Sequence, residues 1–162
     1  MVELLTLLFE LVYRFVDETS LFGFKLINTS LSIADRDAMA WIKQNTPAAS
    51  LFLPITGVQS PEIDPFVEWF PALTERRSQT TIQGFEWLLG SGFYKKYGDF
   101  AEVQGCKTLA CITDWSNRTG LEYEYLVIQR SGVDEKLIVS LNTANDYKNI
   151  YSTKEILIYL VK

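Results

Sequence analysis

The spacing of the strand-forming runs constrains the fold of this chain more than any other feature. Leu51–Thr56 (LFLPIT), Thr80–Gln83 (TTIQ) and Glu122–Gln129 (EYEYLVIQ) are separated by long segments, the second of which carries helical signals, and a further helix precedes the first run. The last two runs, Tyr147–Tyr151 and Glu155–Val161, are joined only by Ser152-Thr153-Lys154. Strands that alternate with helices pair in parallel through crossovers, and two strands with a tight connection form an antiparallel hairpin. The pattern predicts an α/β fold, a three-layer, mostly parallel sheet of about five strands with a C-terminal antiparallel hairpin.

Local signals fill in the helices. Ser32 or Asp35 can cap a helix running through Asp37, Ala38, Ala40, Trp41 and Ile42, and Asn45-Thr46-Pro47 stops it, because the residue before proline avoids helical geometry. Thr108 caps a helix through Leu109, Cys111, Ile112 and Trp115, with Gly120 as its stop. Shorter helices are expected at Asp99–Val103 and Asp134–Leu141. Pro54 inside the first strand points to a bend or a sheet edge, and residues 57–67, with Pro61 and Pro65, read as loop. Residues 1–33 form an apolar N-terminal helical segment, and residues 34–162 a single α/β domain.

Composition narrows the chemistry. The chain has 162 residues, 48% hydrophobic and 14% aromatic, enough for a substantial core. A net charge of −5 argues against a nucleic-acid partner, and the lack of any Lys/Arg run longer than two argues against polybasic lipid binding. With no histidine in the sequence, His-activated nucleophiles, histidine general bases and His-containing zinc sites are excluded. Gly90-x-Gly92 lacks the third glycine of a dinucleotide loop and follows no strand, and no other cofactor motif emerges. The two cysteines, Cys106 and Cys111, are too few for a structural zinc site. Within one helix their spacing suits a disulfide poorly. With Cys106 ahead of a helix and Cys111 inside it a bridge becomes feasible, so a bridge and two buried free thiols both stand.

The N-terminal residues 1–16, MVELLTLLFELVYRFV, place Glu3, Thr6, Glu10 and Arg14 on roughly one quarter of a helix circumference. The run is too short and too charged for a membrane span, and it lacks the basic start of a signal peptide. Such a helix would dock against the core or a protein partner, or lie near a membrane surface.

Binding chemistry concentrates in Glu68–Trp87, EWFPALTERRSQTTIQGFEW, read as a shaped loop region. It holds the pairs Glu68-Trp69 and Glu86-Trp87, the adjacent Arg76 and Arg77, and Gln83 before Gly84. Ligands of open α/β sheets bind beyond the carboxyl ends of the strands, where these residues would converge. Carboxylates beside Trp platforms suit sugars, which present hydroxyls to bond and C–H faces to stack. The plainer alternatives are core packing for Trp69 and Trp87 and ion pairs from Arg76 and Arg77 to Glu75 or Glu68. Glu68 with Glu86 as an acid–base pair would need a suitable separation and one raised pKa, the requirement for a small carboxylate-dependent carbohydrate-processing enzyme. The sequons at Asn28 and Asn117 match too common a pattern to decide anything.

Three stretches carry a resemblance: ADRDAMAWIKQNTP (34–47), Glu68–Trp87, and SLNTANDYKNIYSTKEILIYLVK (140–162). In this order they resemble the C-terminal soluble domain of multipass membrane proteins of the GT-C glycosyltransferase type, including bacterial dolichyl-phosphate-mannose-transferase-like proteins. The resemblance implies a non-catalytic accessory or recognition domain on the extracytoplasmic face of a bacterial membrane. Its implied partners are a multipass membrane protein or the membrane surface, through residues 1–16, and a glycan or lipid-linked sugar. Glu68, Trp69, Arg76 and Arg77 would then line an acceptor or donor surface. The chain departs from the wider superfamily in lacking its Trp-Trp-Asp-Tyr-Gly motif and the catalytic loop between membrane spans.

Overall fold

The structure, a computed structural model, describes residues 31–162. The apolar run 1–16, nearly all of the 1–33 segment and the Asn28 sequon lie outside the described residues. The described chain is α/β. Helix α1 (Ile33–Asn45) leads into β1 (Leu51–Ile55), a 3-10 turn (Pro61–Ile63), α2 (Pro65–Thr74) and β2 (Arg77–Ser78). Next come α3 (Phe85–Leu89), a 3-10 turn (Gly90–Gly92), α4 (Phe93–Gln104), α5 (Leu109–Thr119) and β3 (Tyr125–Gln129). A 3-10 turn (Arg130–Gly132), α6 (Glu135–Thr143), β4 (Tyr147–Ser152) and β5 (Ile156–Val161) complete it. The five strands form one mixed sheet in the order β2-β1-β3-β5-β4. Pairing is parallel across β2, β1 and β3 and antiparallel across β3, β5 and β4.

The closing hairpin is as expected, and composition decides which of its strands faces inward. β5 (ILIYLV) is apolar throughout and buried along Ile156–Tyr159, so it sits between β3 and β4. β4 carries Lys148 and Asn149 and takes one edge, while the two-residue β2, with Arg77, takes the other. Short and charged edges discourage pairing with further chains.

Alternate strand residues feed separate cores, as the two-residue period of a strand requires. Leu53, Ile55, Leu126, Ile128, Leu157 and Tyr159 pack with Val103, Ile112, Trp115, Leu137 and Leu141 from α4, α5 and α6. Phe52, Tyr125, Val127, Ile156 and Ile158 pack with Ala38, Met39 and Ile42 of α1 and with Phe66 and Phe70 of α2. Both caps foreseen for α1 act together. The Ser32 hydroxyl accepts from the Asp35 amide at 3.1 Å, and the Ser32 amide donates to the Asp35 carboxylate at 2.9 Å.

Two expectations are corrected by proline. Pro54 lies in an interior strand, not at an edge, since β1 pairs with both β2 and β3. The parallel ladder to β2 runs through the Gln79 amide donating to the Phe52 carbonyl at 2.8 Å. Its next donor on β1 would be the Pro54 amide, which does not exist. The strand expected at Thr80–Gln83 is therefore absent, and β2 stops at Ser78. The Thr80 hydroxyl instead donates to the Pro54 carbonyl at 3.2 Å. Conversely, much of the segment read as a shaped loop is helix α2, which starts with Pro65 in its first turn and contains Pro71. Pro71 leaves the Val67 carbonyl without its helical donor, and the Thr81 hydroxyl fills that place at 2.8 Å.

Cys106 and Cys111 are joined, with Cα atoms 5.5 Å apart. Cys106 ends the turn after α4 and Cys111 lies in the first turn of α5 behind the Thr108 cap, so the bridge links two helices and not two points of one.

The loops leaving β1 and β3 meet backbone to backbone. A Cβ added at Gly57 would collide with the Gly132 carbonyl, and one at Gly132 with the Thr56 carbonyl. Gly57→Ala should therefore lower stability by more than about 2 kcal/mol, whereas Gly84→Ala, at a similar positive φ but facing open space, should cost about 1 kcal/mol. Urea denaturation of both variants checks this, and equal costs would show that the loop contact is not limiting. Reducing the disulfide should lower stability by about 2 kcal/mol, the chain-entropy value for so short a loop, read from urea midpoints with and without a thiol reductant.

Candidate functional site

The carboxyl ends of β1 and β3 are where an open sheet of this kind takes a ligand. Here protein groups fill that position. Gln104, the last residue of α4, is 3% exposed. Its side-chain oxygen accepts from the amides of Thr56 at 2.7 Å and Gly57 at 3.0 Å, and its nitrogen donates to the Pro54 carbonyl at 2.9 Å. The Thr56 hydroxyl donates to the Asp64 carboxylate at 2.5 Å. The other Asp64 oxygen accepts from the amides of Phe66 and Val67, capping α2. Beside β3, the Gln129 amide donates to Asp35 at 2.9 Å, which ties the strand end to the α1 cap. Burial pushes the Asp64 carboxyl above the usual carboxylate range, opposed by its bonds from Thr56, Val67 and Phe66.

The seven binding candidates separate into three groups. Glu68 and Trp69 are exposed on α2, Trp69 by 49%. Arg76 is buried and, among the described residues, pairs with no carboxylate, Glu75 and Glu68 included, contrary to the expected ion pair. Its guanidinium donates to the Thr46 hydroxyl at 3.0 Å and to the carbonyls of Lys43 (2.7 Å), Thr46 (2.5 Å), Thr74 (3.2 Å) and Glu75 (3.1 Å). It thus caps the carboxyl ends of α1 and α2. Glu75 pairs with Lys43 at 2.6 Å instead, and Arg77 is exposed on the β2 edge. Core packing fails for Trp87 as well, which is 85% exposed.

Gln83 and Glu86 come together, with Trp87 adjacent in α3. They line a cavity of about 410 Å³ with Glu62, Ile82, Phe93 and Tyr97. The Tyr97 hydroxyl donates to Glu62 at 3.1 Å, bracing one carboxylate on the wall. The floor is fixed from below, where Phe93 and Tyr97 pack on Val67, Ile82 and Phe100. Glu68 stands outside this cavity, so a Glu68–Glu86 pair does not share it. Glu62, Phe93 and Tyr97 were not singled out from sequence. The signal for Phe93 and Tyr97 is aromatic density just after Gly92, which does not say what the rings face, and Glu62 is one acid in a proline-bearing loop with nothing to mark it.

A second cavity of about 470 Å³ opens at the amino ends of β1 and β3, between Leu51, Asn117, Glu122 and Glu124. On its wall the Tyr123 and Tyr147 hydroxyls lie 2.7 Å apart, and burial pushes both phenols up. Among the described residues, no cluster of three or more His, Cys, Asp or Glu could hold a metal ion, and no helix is long and apolar enough to cross a membrane. Comparison of the chain with protein-family models, curated proteins and solved structures finds no match.

The raised Asp64 carboxyl links stability to pH. The folded state holds this proton more tightly than the unfolded chain, so its contribution is present in acid and lost as pH rises from about 4 through the folded pKa. Asp64→Asn should therefore flatten this decline, with the wild-type-minus-variant difference in urea midpoint highest at low pH and falling as pH rises through the folded pKa. A difference constant across the acid range would show that Asp64 carries no such linkage.

Proposed function

We propose that this domain is a non-catalytic recognition module that takes a glycan at the Glu62–Gln83–Glu86 cavity, with Trp87 as the flanking stacking platform. The observation that carries this reading is the cavity's chemistry. Two carboxylates and an amide stand on an aromatic and aliphatic floor, beside an indole that is 85% exposed. Carboxylates and amides bond sugar hydroxyls, and indole and phenyl faces meet sugar C–H groups. The buried carboxylates among the described residues, Asp35 and Asp64, are committed to helix caps, which favours recognition over acid–base chemistry. The helices packed on the two cores are read as a three-layer arrangement.

In its wider form the reading makes this an accessory domain of a membrane glycosyltransferase-like protein on the extracytoplasmic side. The resemblance of its three sequence stretches supports that form, and a Cys106–Cys111 disulfide suits an oxidising compartment. A lipid-linked sugar would present its sugar, and not its phosphate, to a cavity walled by carboxylates.

Titration with oligosaccharides, followed by tryptophan emission, should show saturable binding that Glu86→Gln or Trp87→Ala weakens by about tenfold, while Trp69→Ala does not. Binding that is unaffected by Glu86 and Trp87 substitutions, or none at all, would remove the glycan site. Hydrolysis of chromogenic glycosides, abolished by Glu62→Gln or Glu86→Gln, would instead support the carboxylate enzyme. That alternative is favoured only by the fact that both acids line one cavity.

A further inference from the structure

The hairpin formed by α3 and the start of α4 leaves its apolar side chains in solvent. From Gln83 to Gly92 every residue except Phe85 is exposed, and α3 buries no side chain. Trp87 is 85% exposed, Tyr94 79%, Leu88 78% and Leu89 40%. So many large apolar groups within eight residues mark an interaction surface. The base of the hairpin is nevertheless fixed. Phe93 and Tyr97 pack on Val67, Ile82 and Phe100, and the Lys96 ammonium lies 4.7 Å from the centroid of the Phe85 ring.

The arrangement of these residues selects the partner. A helix that docks in a protein groove presents one apolar stripe, with residues three and four apart. Trp87, Leu88 and Leu89 are consecutive and spread over about 200° of the helix. An apolar tip without a stripe suits a fluid medium that surrounds it. Trp and Tyr are the residues that favour the bilayer interface. No charged residue occurs between Trp87 and Tyr94, and the next two residues are Lys95 and Lys96. The Lys95 side chain is 76% exposed, its partner being Asp99 at 2.8 Å. Ammonium groups at the rim of an apolar tip complement anionic lipid phosphates, whereas the chain's net charge of −5 disfavours other faces.

We propose that this hairpin docks the domain on an anionic lipid bilayer, with Trp87, Leu88 and Tyr94 in the interface and Lys95 at the headgroup phosphates. The two lysines are too few for a polybasic anchor, so apolar burial supplies most of the attachment and the lysines orient it. The docking does not depend on a sugar in the neighbouring cavity. It uses a different part of the chain from the apolar residues 1–16.

The test uses the full chain with vesicles of phosphatidylglycerol and phosphatidylcholine, some carrying brominated acyl chains. Bromine should quench wild-type tryptophan emission, and most of that quenching should disappear in Trp87→Phe. Trp87→Ser combined with Leu88→Ser should weaken vesicle partition at least about tenfold. Lys95→Gln should weaken it about two- to threefold on the mixed vesicles and not on phosphatidylcholine alone. All of these side chains are exposed, so urea midpoints should stay near wild type and keep a folding defect apart from a docking defect. Quenching retained in Trp87→Phe, or partition unchanged in the double variant, would overturn the proposal by placing attachment elsewhere. So would a wild type that ignores vesicles but self-associates through the same residues.

Discussion

The side chain of Gln104 holds together the centre of this fold. β1 is an interior strand whose ladder to β2 ends early because Pro54 has no amide to give. Beyond that point the strand end is buried, and buried backbone groups need partners. Gln104 supplies them, accepting from two amides and donating to the Pro54 carbonyl as a neighbouring strand would. The same loop carries Thr56, whose hydroxyl fixes Asp64, and Asp64 starts α2. The positions of α2 and α4 are therefore set by one group of side chains at the end of one strand. The hairpin and cavity that rest on those helices inherit that position.

How legible this was from sequence depended on whether the signal was local. The Ser32–Asp35 and Thr108 caps, the strands around Leu51–Ile55 and Tyr125–Gln129, and the closing hairpin follow from residues near one another in the chain, and they stand. The helix Pro65–Thr74 was hidden because proline counts against helices. One of its prolines sits in the first turn, where no donor is lost, and the other is compensated by Thr81, beyond the helix. Arg76 was unreadable for a similar reason. Its partners are carbonyls at the ends of two helices, and carbonyls have no sequence signature. Of the candidate site, Gln83 and Glu86 are legible in the sequence as candidates, whereas Glu62 and Tyr97 are brought to them from a preceding loop and a following helix through folding alone.

The molecule divides its unusual residues by depth. Its buried acids and amides serve structure, closing helix ends and the open end of β1. Its most exposed aromatics, Trp87 and Tyr94, lie on the α3–α4 hairpin, above a base cemented by Phe93, Tyr97 and Phe100. A stiff base with a chemically conspicuous tip fits a domain that presents a surface more readily than one that encloses a reaction.

The position of β5 within the sheet has a consequence for biosynthesis. β5 pairs on both sides, covering the flank of β3 that would otherwise be an apolar edge. It is also the last strand of the described chain to be made. As the nascent polypeptide emerges, the β1–β3 half can assemble early, but the Tyr125–Gln129 edge stays open until Ile156–Val161 arrives. An open edge of this composition is a template for pairing with neighbouring chains, so the interval before β5 inserts is the time at which this protein most needs protection from aggregation.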